Sequence, residues 1–224
     1  MEKLQHGKFY HIYNRGINRQ DIFFHKDDYL HFLELYSIFI EPVADSYAYC
    51  LMKNHFHFLV HIKQPEGIGY LNSRYSQSKD LYKKWKVTFP SEKERLSGFQ
   101  FKDKPVPDKM FQHLFSSYAK WINQKHKRTG SLLEHPFHRI WIDNKVYLKR
   151  VLVYIHMNPV KHKFCEHPVE YPWTSFLPFL SDQRTRLKKD IALEWFDSMG
   201  DFELEHYREQ NFDDIQRYRF EYDV

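Results

Sequence analysis

Two neighbouring stretches of alternating residues, at 44–52 and 55–63, place the strongest constraint on the fold of this chain. The first reads ADSYAYCLM and the second HFHFLVHIK, and only Lys53 and Asn54 separate them. Alternation with a period of two is typical of β-strands, and a two-residue connection is typical of a tight antiparallel turn. The two stretches therefore predict a β-hairpin.

The segments around this hairpin follow the order β-α-β-β-α-β-α. Residues 8–14 (KFYHIYN) are strand-like and precede a helical pattern at 26–41, which Pro42 stops. After the hairpin we expect a helix, a strand and a last helix that Asp143 caps and that ends before Pro159, over residues 110–127, 136–142 and 144–158. This order predicts an α+β fold with a split βαβ, antiparallel sheet and helices on one face.

Two regions do not fit this simple order. Residues 64–109 include a polar, proline-bearing stretch, which we interpret as an insertion or a mobile arm. From residue 187 onward, helical patterns occur over LKKDIALEWFDSM and near the end of the chain. We therefore expect one domain over residues 1–180, which contains the insertion, and an acidic C-terminal helical tail over residues 181–224.

The distribution of charge favours a polyanionic partner. The net charge is +5, but residues 190–224 hold 11 acidic and 3 basic side chains, and the remainder of the chain carries +13. This pattern is typical of nucleic-acid binding, although a polarised solvated surface has the same composition. The 20 Phe, 16 Tyr and 5 Trp side chains can build a core or stack on bases. With 7 Gly and no Walker or Rossmann pattern, a nucleotide-phosphate loop is not expected.

Neither export nor membrane insertion is indicated. Cys50 and Cys165 lie far apart in sequence and demand no disulfide, so a reduced, cytoplasmic setting is expected. The N-terminal stretch MEKLQHGKFYHIYNRG has no apolar region typical of a signal peptide, and no apolar run approaches the length of a membrane span.

Two histidines stand one residue apart within the second strand of the hairpin. On a strand, residues i and i+2 project from one face about 7 Å apart, so His55 and His57 share a face, and Phe56 and Phe58 point into the core on the other. Two imidazoles at this spacing can converge on one metal ion. The alternative is an exposed strand face with two solvated histidines.

A third metal ligand must come from elsewhere, and the best region is RVLVYIHMNPVKHKF at residues 150–164. Tyr154 and Asn158 are i and i+4 and therefore lie on one face of the predicted helix. Asn158 offers a neutral amide oxygen, and Tyr154 places a phenol beside the ion. Taken singly, Tyr154 also fits a core aromatic and Asn158 a residue at a helix end.

These segments together resemble a known family. NHFHFLV, followed about a hundred residues later by VLVYIHMNPVKHKF and YPWTSF, resembles the single-tyrosine HUH endonucleases, which include the REP-associated tyrosine transposases. YHIYNRGINRQDIF and GSLLEHPFHRIWI resemble the REP-associated branch. The resemblance spans about residues 8–175 in the family's order and leaves the insertion and the tail unexplained.

The resemblance implies a ferredoxin-like fold and metal-dependent cleavage and strand transfer of single-stranded, hairpin (REP-like) DNA through a 5′-phosphotyrosine. It implies that Tyr154 is the nucleophile and that His55 and His57 hold a divalent metal, Mg²⁺ or Mn²⁺. Asn158 matches the position of the third ligand, where some relatives carry the longer glutamine. It also implies a bacterial, nucleoid-associated protein, either monomeric or homodimeric.

The proton acceptor and the DNA contacts are less defined. A phenol with a pKa of about 10 needs help to lose its proton, and His135, His138 and His156 are the candidates. The residues expected to contact DNA phosphates are all basic; they are Arg15, Arg19, Lys120, Lys125, Lys127, Arg128, Arg139, Lys149 and Arg150. For Arg139, the alternative is a structural ion pair. In the insertion, Tyr82, Lys83, Lys84 and Trp85 form either a stacking patch or an ordinary helix surface.

Three other functions remain open on the sequence. The first is a non-catalytic module that binds single-stranded nucleic acid on the same scaffold. The second is a metal-free structural protein, and the third is a relaxase or replication initiator, which often carries paired tyrosines.

Overall fold

Four strands form one antiparallel sheet in the computed structural model, which describes residues 2–91 and 103–208. Two further short strands, in the predicted insertion, pair with each other. In chain order the strands are β1 (Phe9–Arg15), β2 (Ala44–Met52), β3 (His55–Ile62), β4 (Tyr70–Leu71), β5 (Val87–Thr88) and β6 (His138–Ile142). The order across the main sheet is β2-β3-β1-β6.

This strand order is that of a split βαβ unit. The predicted hairpin joins β2 to β3, and β3 lies between β2 and β1. Antiparallel pairing of β1 with β6 places His11 opposite Ile140 and Tyr13 opposite His138. The predicted α+β class with an antiparallel sheet is therefore confirmed.

The described residues include seven α-helices and four short 3₁₀ turns, at Ile17–Arg19, Pro65–Gly67, Ser73–Tyr75 and Pro168–Glu170. The helices are α1 (Lys26–Phe39), α2 (Leu81–Trp85), α3 (Pro107–Lys125), α4 (Lys145–Lys161), α5 (Phe176–Leu180), α6 (Lys189–Leu193) and α7 (Met199–Tyr207). None of the described helices combines the length and the apolar character that a membrane crossing requires.

The described chain divides into two compact units, each of which is built from several segments of the chain. The first comprises the residues up to Lys8 together with Arg15–Asp45 and His61–His135. Its helices α1 and α3 pack through aromatic rings, with the centroids of Phe32 and Tyr118 4.8 Å apart. The second comprises Phe9–Asn14, Ser46–Val60 and the described residues from Pro136 onward. A boundary near residue 180 stays a prediction.

Helix α4 supplies the core of the second unit. Its buried residues Leu152 and Ile155 belong to one apolar cluster with Leu59 of β3 and Phe176 of α5. Since Leu59 and His57 alternate with Phe58, α4 covers the sheet face that carries His57. The expectation that both imidazoles point away from the core is wrong for His57, which is 3% exposed.

The ends of α4 differ from the predicted ones. Asn144, rather than Asp143, caps the helix, because its side-chain oxygen accepts a hydrogen bond from the backbone N–H of Tyr147 at 3.0 Å. The helix also continues through Pro159 to Lys161. Proline removes one backbone hydrogen bond, and the burial of the helix on both sides of Asn158 outweighs that loss.

The predicted tail helix is interrupted. Residues 189–193 are helical, but the chain leaves the helix before Ser198, whose side chain accepts a hydrogen bond from Asp201 N–H at 3.0 Å and starts α7. The cap thus explains why one long apolar pattern becomes two short helices. The helix expected near the chain end lies outside the described residues.

Candidate functional site

His57 stands at the centre of a cluster of rings in the second unit. Its Nδ1 lies 2.9 Å from Nε2 of His11 on β1, which is a hydrogen-bond distance. Tyr13 stacks on the His57 ring with centroids 5.9 Å apart, and His55 meets it edge-on at 5.2 Å. The ring of Tyr154 meets it edge-on at 5.7 Å. The fold thus brings a strand histidine and a helix tyrosine together across 97 positions of sequence.

The electrostatics of the cluster favour neutral imidazoles. Burial lowers the pKa of His11 to about 3. Burial also holds the pKa of His57 well below its ordinary value, and the neighbouring His11, His55, His162 and Lys161 lower it further. A neutral imidazole has a lone pair on one nitrogen, which is the form that ligates a metal.

One face of α4 presents the other polar groups of the site. Tyr154, Asn158, Lys161 and His162 follow the i, i+4, i+7, i+8 spacing of a single helix face. The Nζ atom of Lys161 lies 5.3 Å from the Tyr154 ring centroid, and the ring of His162 lies 5.0 Å from that of His55. Two basic side chains at the end of α4 therefore flank the tyrosine and the histidine pair.

The two polar atoms of the Asn158 side chain differ in their hydrogen bonding. Its Nδ2 donates to the backbone oxygen of Tyr154 at 2.9 Å, which orients the amide. Its Oδ1 is buried, and no donor within residues 2–91 and 103–208 reaches it. Leaving a buried acceptor unsatisfied costs about 1–3 kcal/mol, so coordination of a cation by this oxygen would recover free energy.

The predicted metal ligands are His55, His57 and Asn158. In the part of the chain that the structure describes, no three His, Cys, Asp or Glu side chains are arranged around a metal position. Two imidazoles and an amide oxygen form a different donor set, and the buried Asn158 Oδ1 supplies the oxygen. These donors fit Mn²⁺, and also Mg²⁺ when water completes its shell.

The three candidate proton acceptors fall in different surroundings. His138 stacks on Tyr13 with ring centroids 4.9 Å apart, within the ring cluster. His156 is fully buried, and its two nitrogens lie at hydrogen-bond distance from His206 and Ser175, so both are already engaged within the chain. His135 belongs to the first unit.

Of the predicted DNA contacts, three lie in the second unit. Lys149 forms an ion pair with Asp201 at 2.8 Å, and a second with Glu205 at 3.6 Å, which raises its pKa. The Arg139 guanidinium lies 4.1 Å from the Phe137 ring centroid. Arg150 is half-buried on α4. Lys149 therefore stays charged, and two carboxylates of the same chain compensate its charge.

The other predicted DNA contacts lie in the first unit. Three are engaged, since Arg15 pairs with Glu134 at 2.7 Å, Lys125 pairs with Asp28 at 2.7 Å, and Arg128 donates to Gln20 at 2.8 Å. Exposed side chains are found at Arg19, Lys120 and Lys127.

Sequence reasoning missed His11 and Tyr13 as members of the cluster. They carry the same i, i+2 signal on β1 that His55 and His57 carry on β3. That signal becomes informative only when β1 is known to neighbour β3, because the two strands then present adjacent side chains.

No protein-family model and no curated protein matches the sequence. Among solved structures, a REP-associated tyrosine transposase bound to a REP hairpin aligns over 81% of this chain and 87% of its own, with a TM-score of 0.49 and 11% identity. This similarity is too low to assign a function.

Proposed function

We propose that the protein is a metal-dependent single-stranded DNA endonuclease and strand transferase that acts through a 5′-phosphotyrosine at Tyr154. The observation that carries the proposal is the edge-on contact of Tyr154 with His57, whose ring centroids are 5.7 Å apart. The buried amide oxygen of Asn158, one helical turn beyond the tyrosine, supports the same assignment. Hairpin DNA is the proposed substrate, on the sequence resemblance.

The proposed reaction is a transesterification in two steps. The phenolic oxygen of Tyr154 attacks phosphorus in line, its proton passes to a base or to water, and the 3′-oxygen takes up a proton as it leaves. The 5′-phosphotyrosine retains the energy of the phosphodiester, so a second 3′-hydroxyl can reverse the step on another strand. No nucleotide cofactor is needed.

The residues of the cluster have separate roles in this proposal. His55, His57 and Asn158 would hold the divalent cation, which, when bound, stabilises negative charge on the phosphate oxygens. Lys161, with Nζ 5.3 Å from the Tyr154 ring centroid, places positive charge where it favours the phenolate. Arg19, Lys120 and Lys127 are exposed and contribute salt-dependent contacts with phosphates.

The burial of Tyr154 favours a second candidate, a non-catalytic module for single-stranded nucleic acid. The tyrosine is 7% exposed and His57 is 3% exposed, so little of either side chain is open to a nucleic-acid strand. In that candidate the cluster serves stability, and the exposed basic residues alone bind the strand.

The test is formation of a covalent adduct. The protein is incubated with a library of single-stranded DNA hairpins and Mn²⁺, and denaturing gels report protein linked to DNA. We expect an adduct with the wild type and with Tyr147→Phe, which removes a hydroxyl from the same helix, and none with Tyr154→Phe. Unchanged adduct in Tyr154→Phe contradicts the proposed nucleophile, and binding without adduct in the wild type supports the non-catalytic module.

A further inference from the structure

The hydrogen bond between two buried histidines constrains where their protons lie. Nε2 of His11 and Nδ1 of His57 are 2.9 Å apart, and the two side chains are 0% and 3% exposed. A hydrogen bond at this distance needs one nitrogen to donate and the other to accept, so a single proton lies between these two nitrogens. Either His57 donates it to His11, or His11 donates it to His57.

The two arrangements have opposite consequences for His57. If Nδ1 of His57 carries the proton, the lone pair of the ring is on Nε2, and a cation or an acidic hydrogen can bind there. If His11 donates instead, the proton of His57 is on Nε2, which then binds no cation. The neighbour on β1 therefore decides which chemistry is available on β3.

We propose that His11 is a positioning residue: its Nε2 accepts the Nδ1 hydrogen of His57 and thereby directs the Nε2 lone pair of His57 to its ligand. That the ligand is a divalent cation rests on the proposed function. Metal-binding histidines commonly donate their other ring N–H to a fixed acceptor, and loss of that acceptor weakens metal affinity about 10–100-fold.

Two further contacts make the acceptor rigid. His11 lies on a central strand, and its ring packs on Tyr13, with centroids 5.2 Å apart, and on Tyr154 at 6.0 Å. Tyr13 also stacks on His57. A side chain that is held on a strand and packed by neighbouring rings maintains one orientation, which a positioning residue requires.

The first measurement is the tautomer of His57 in protein without metal. Two-dimensional NMR of ¹⁵N-histidine protein distinguishes a protonated from an unprotonated ring nitrogen, and His57→Gln assigns the signals. We expect Nδ1–H with an unprotonated Nε2 in the wild type. An Nε2–H tautomer of His57 overturns the inference without any His11 variant, so it stays testable if a variant fails to fold.

The second measurement is Mn²⁺ affinity by calorimetry. His11→Phe fills the site without an acceptor, and we expect about 10–100-fold weaker binding together with a change in the His57 tautomer. His11→Gln retains an acceptor oxygen and should restore the tautomer and most of the affinity. His31→Gln, in the first unit, is the control. Wild-type affinity and tautomer in His11→Phe contradict the positioning role.

The outcomes separate this inference from the proposed function. If Mn²⁺ does not bind the wild type but His57 has the Nδ1–H tautomer that changes in His11→Phe, the positioning role stands and the metal-dependent nuclease fails. If Mn²⁺ binds and the DNA adduct forms while the tautomer is Nε2–H, the nuclease stands and the positioning role fails.

Discussion

The second unit contains two buried histidine pairs that look alike and differ in surroundings. His11 and His57 are 2.9 Å apart between ring nitrogens, and His156 and His206 are 3.0 Å apart. Both pairs consist of rings that are at most 3% exposed. We propose that the first pair takes part in the chemistry, and we interpret the second as a structural pair.

The His156–His206 pair is saturated. Nε2 of His156 lies 2.8 Å from the Ser175 hydroxyl, and Nδ1 of His206 lies 2.7 Å from the backbone oxygen of Phe202. Phe176 and Phe179 pack against the His156 ring. All four ring nitrogens are thus used within the chain, which is typical of a structural polar network in a core.

The His11–His57 pair is joined to groups that reach outward. His57 contacts the half-buried His55, and the exposed Lys161 lies over Tyr154. The buried Oδ1 of Asn158, four residues after Tyr154 on α4, has no donor among the described residues. The two pairs are thus equally buried, and what distinguishes them is the set of groups around them.

The largest expected effect comes from exchanging one histidine of each pair for glutamine. We expect His57→Gln to slow adduct formation about 1,000-fold, which corresponds to about 4 kcal/mol, because a proposed cation ligand is lost. We expect His206→Gln to remain within about threefold of wild type at a temperature where both are folded. Rates on DNA hairpins check this, and equal loss in the two variants removes the distinction between the pairs.

The second prediction concerns acid stability, which the pairs should share. Unfolded histidine binds a proton below about pH 6.5, whereas burial lowers the pKa of folded His206 to about 4. The folded state thus holds fewer protons between these values, and acidification should destabilise it. His206 alone contributes about 3 kcal/mol over this window.

Chemical denaturation at several pH values checks this slope. The pair His156–His206 should account for part of it, since burial also holds the pKa of His156 well below its ordinary value. In His206→Phe, the free energy of unfolding should fall less steeply between pH 6.5 and pH 4. The change in slope should correspond to at most one proton fewer taken up on unfolding. A slope that is unchanged in this variant contradicts a neutral, buried His206.

The third prediction uses metal to separate the pairs. At a Mn²⁺ concentration about 100 times the dissociation constant, the folded state should gain about 2.7 kcal/mol, or about 5–10 °C in thermal midpoint. We expect His55→Ala and Asn158→Leu to abolish the shift and His206→Gln to retain it. A shift that persists in Asn158→Leu removes this residue from the proposed ligand set.

The smallest expected effect concerns Lys149 on the same helix as Tyr154. Its ion pairs with Asp201 and Glu205 are partly exposed, so Lys149→Ala should cost about 0.2–1 kcal/mol of stability. DNA affinity should change less than in Lys161→Ala, since the carboxylates neutralise Lys149. Fluorescence anisotropy with labelled hairpins compares them, and a larger loss in Lys149→Ala restores its predicted role in DNA binding.

Much of the fold could be predicted from periodicity. The strand 44–52 and the start of β3 at His55 agree with the structure, because alternation and a two-residue turn are local signals. The ends of α4 could not be predicted in the same way, since the burial around Pro159 outweighs a local helix breaker. The prediction of one continuous helix in the tail was wrong, because the Ser198 side chain caps the start of a second helix.

For the candidate site, the sequence by itself determined which groups share a strand face or a helix face. His55 with His57 and Tyr154 with Asn158 follow from the periods of 2 and 3.6 residues, which are local properties of the backbone. Only the tertiary structure decided that His11 hydrogen-bonds to His57, that Tyr154 meets the same ring and that His156 and Lys149 are engaged elsewhere. The physical reason is that these contacts depend on which strands neighbour each other and on how α4 packs on the sheet, and no local period encodes either.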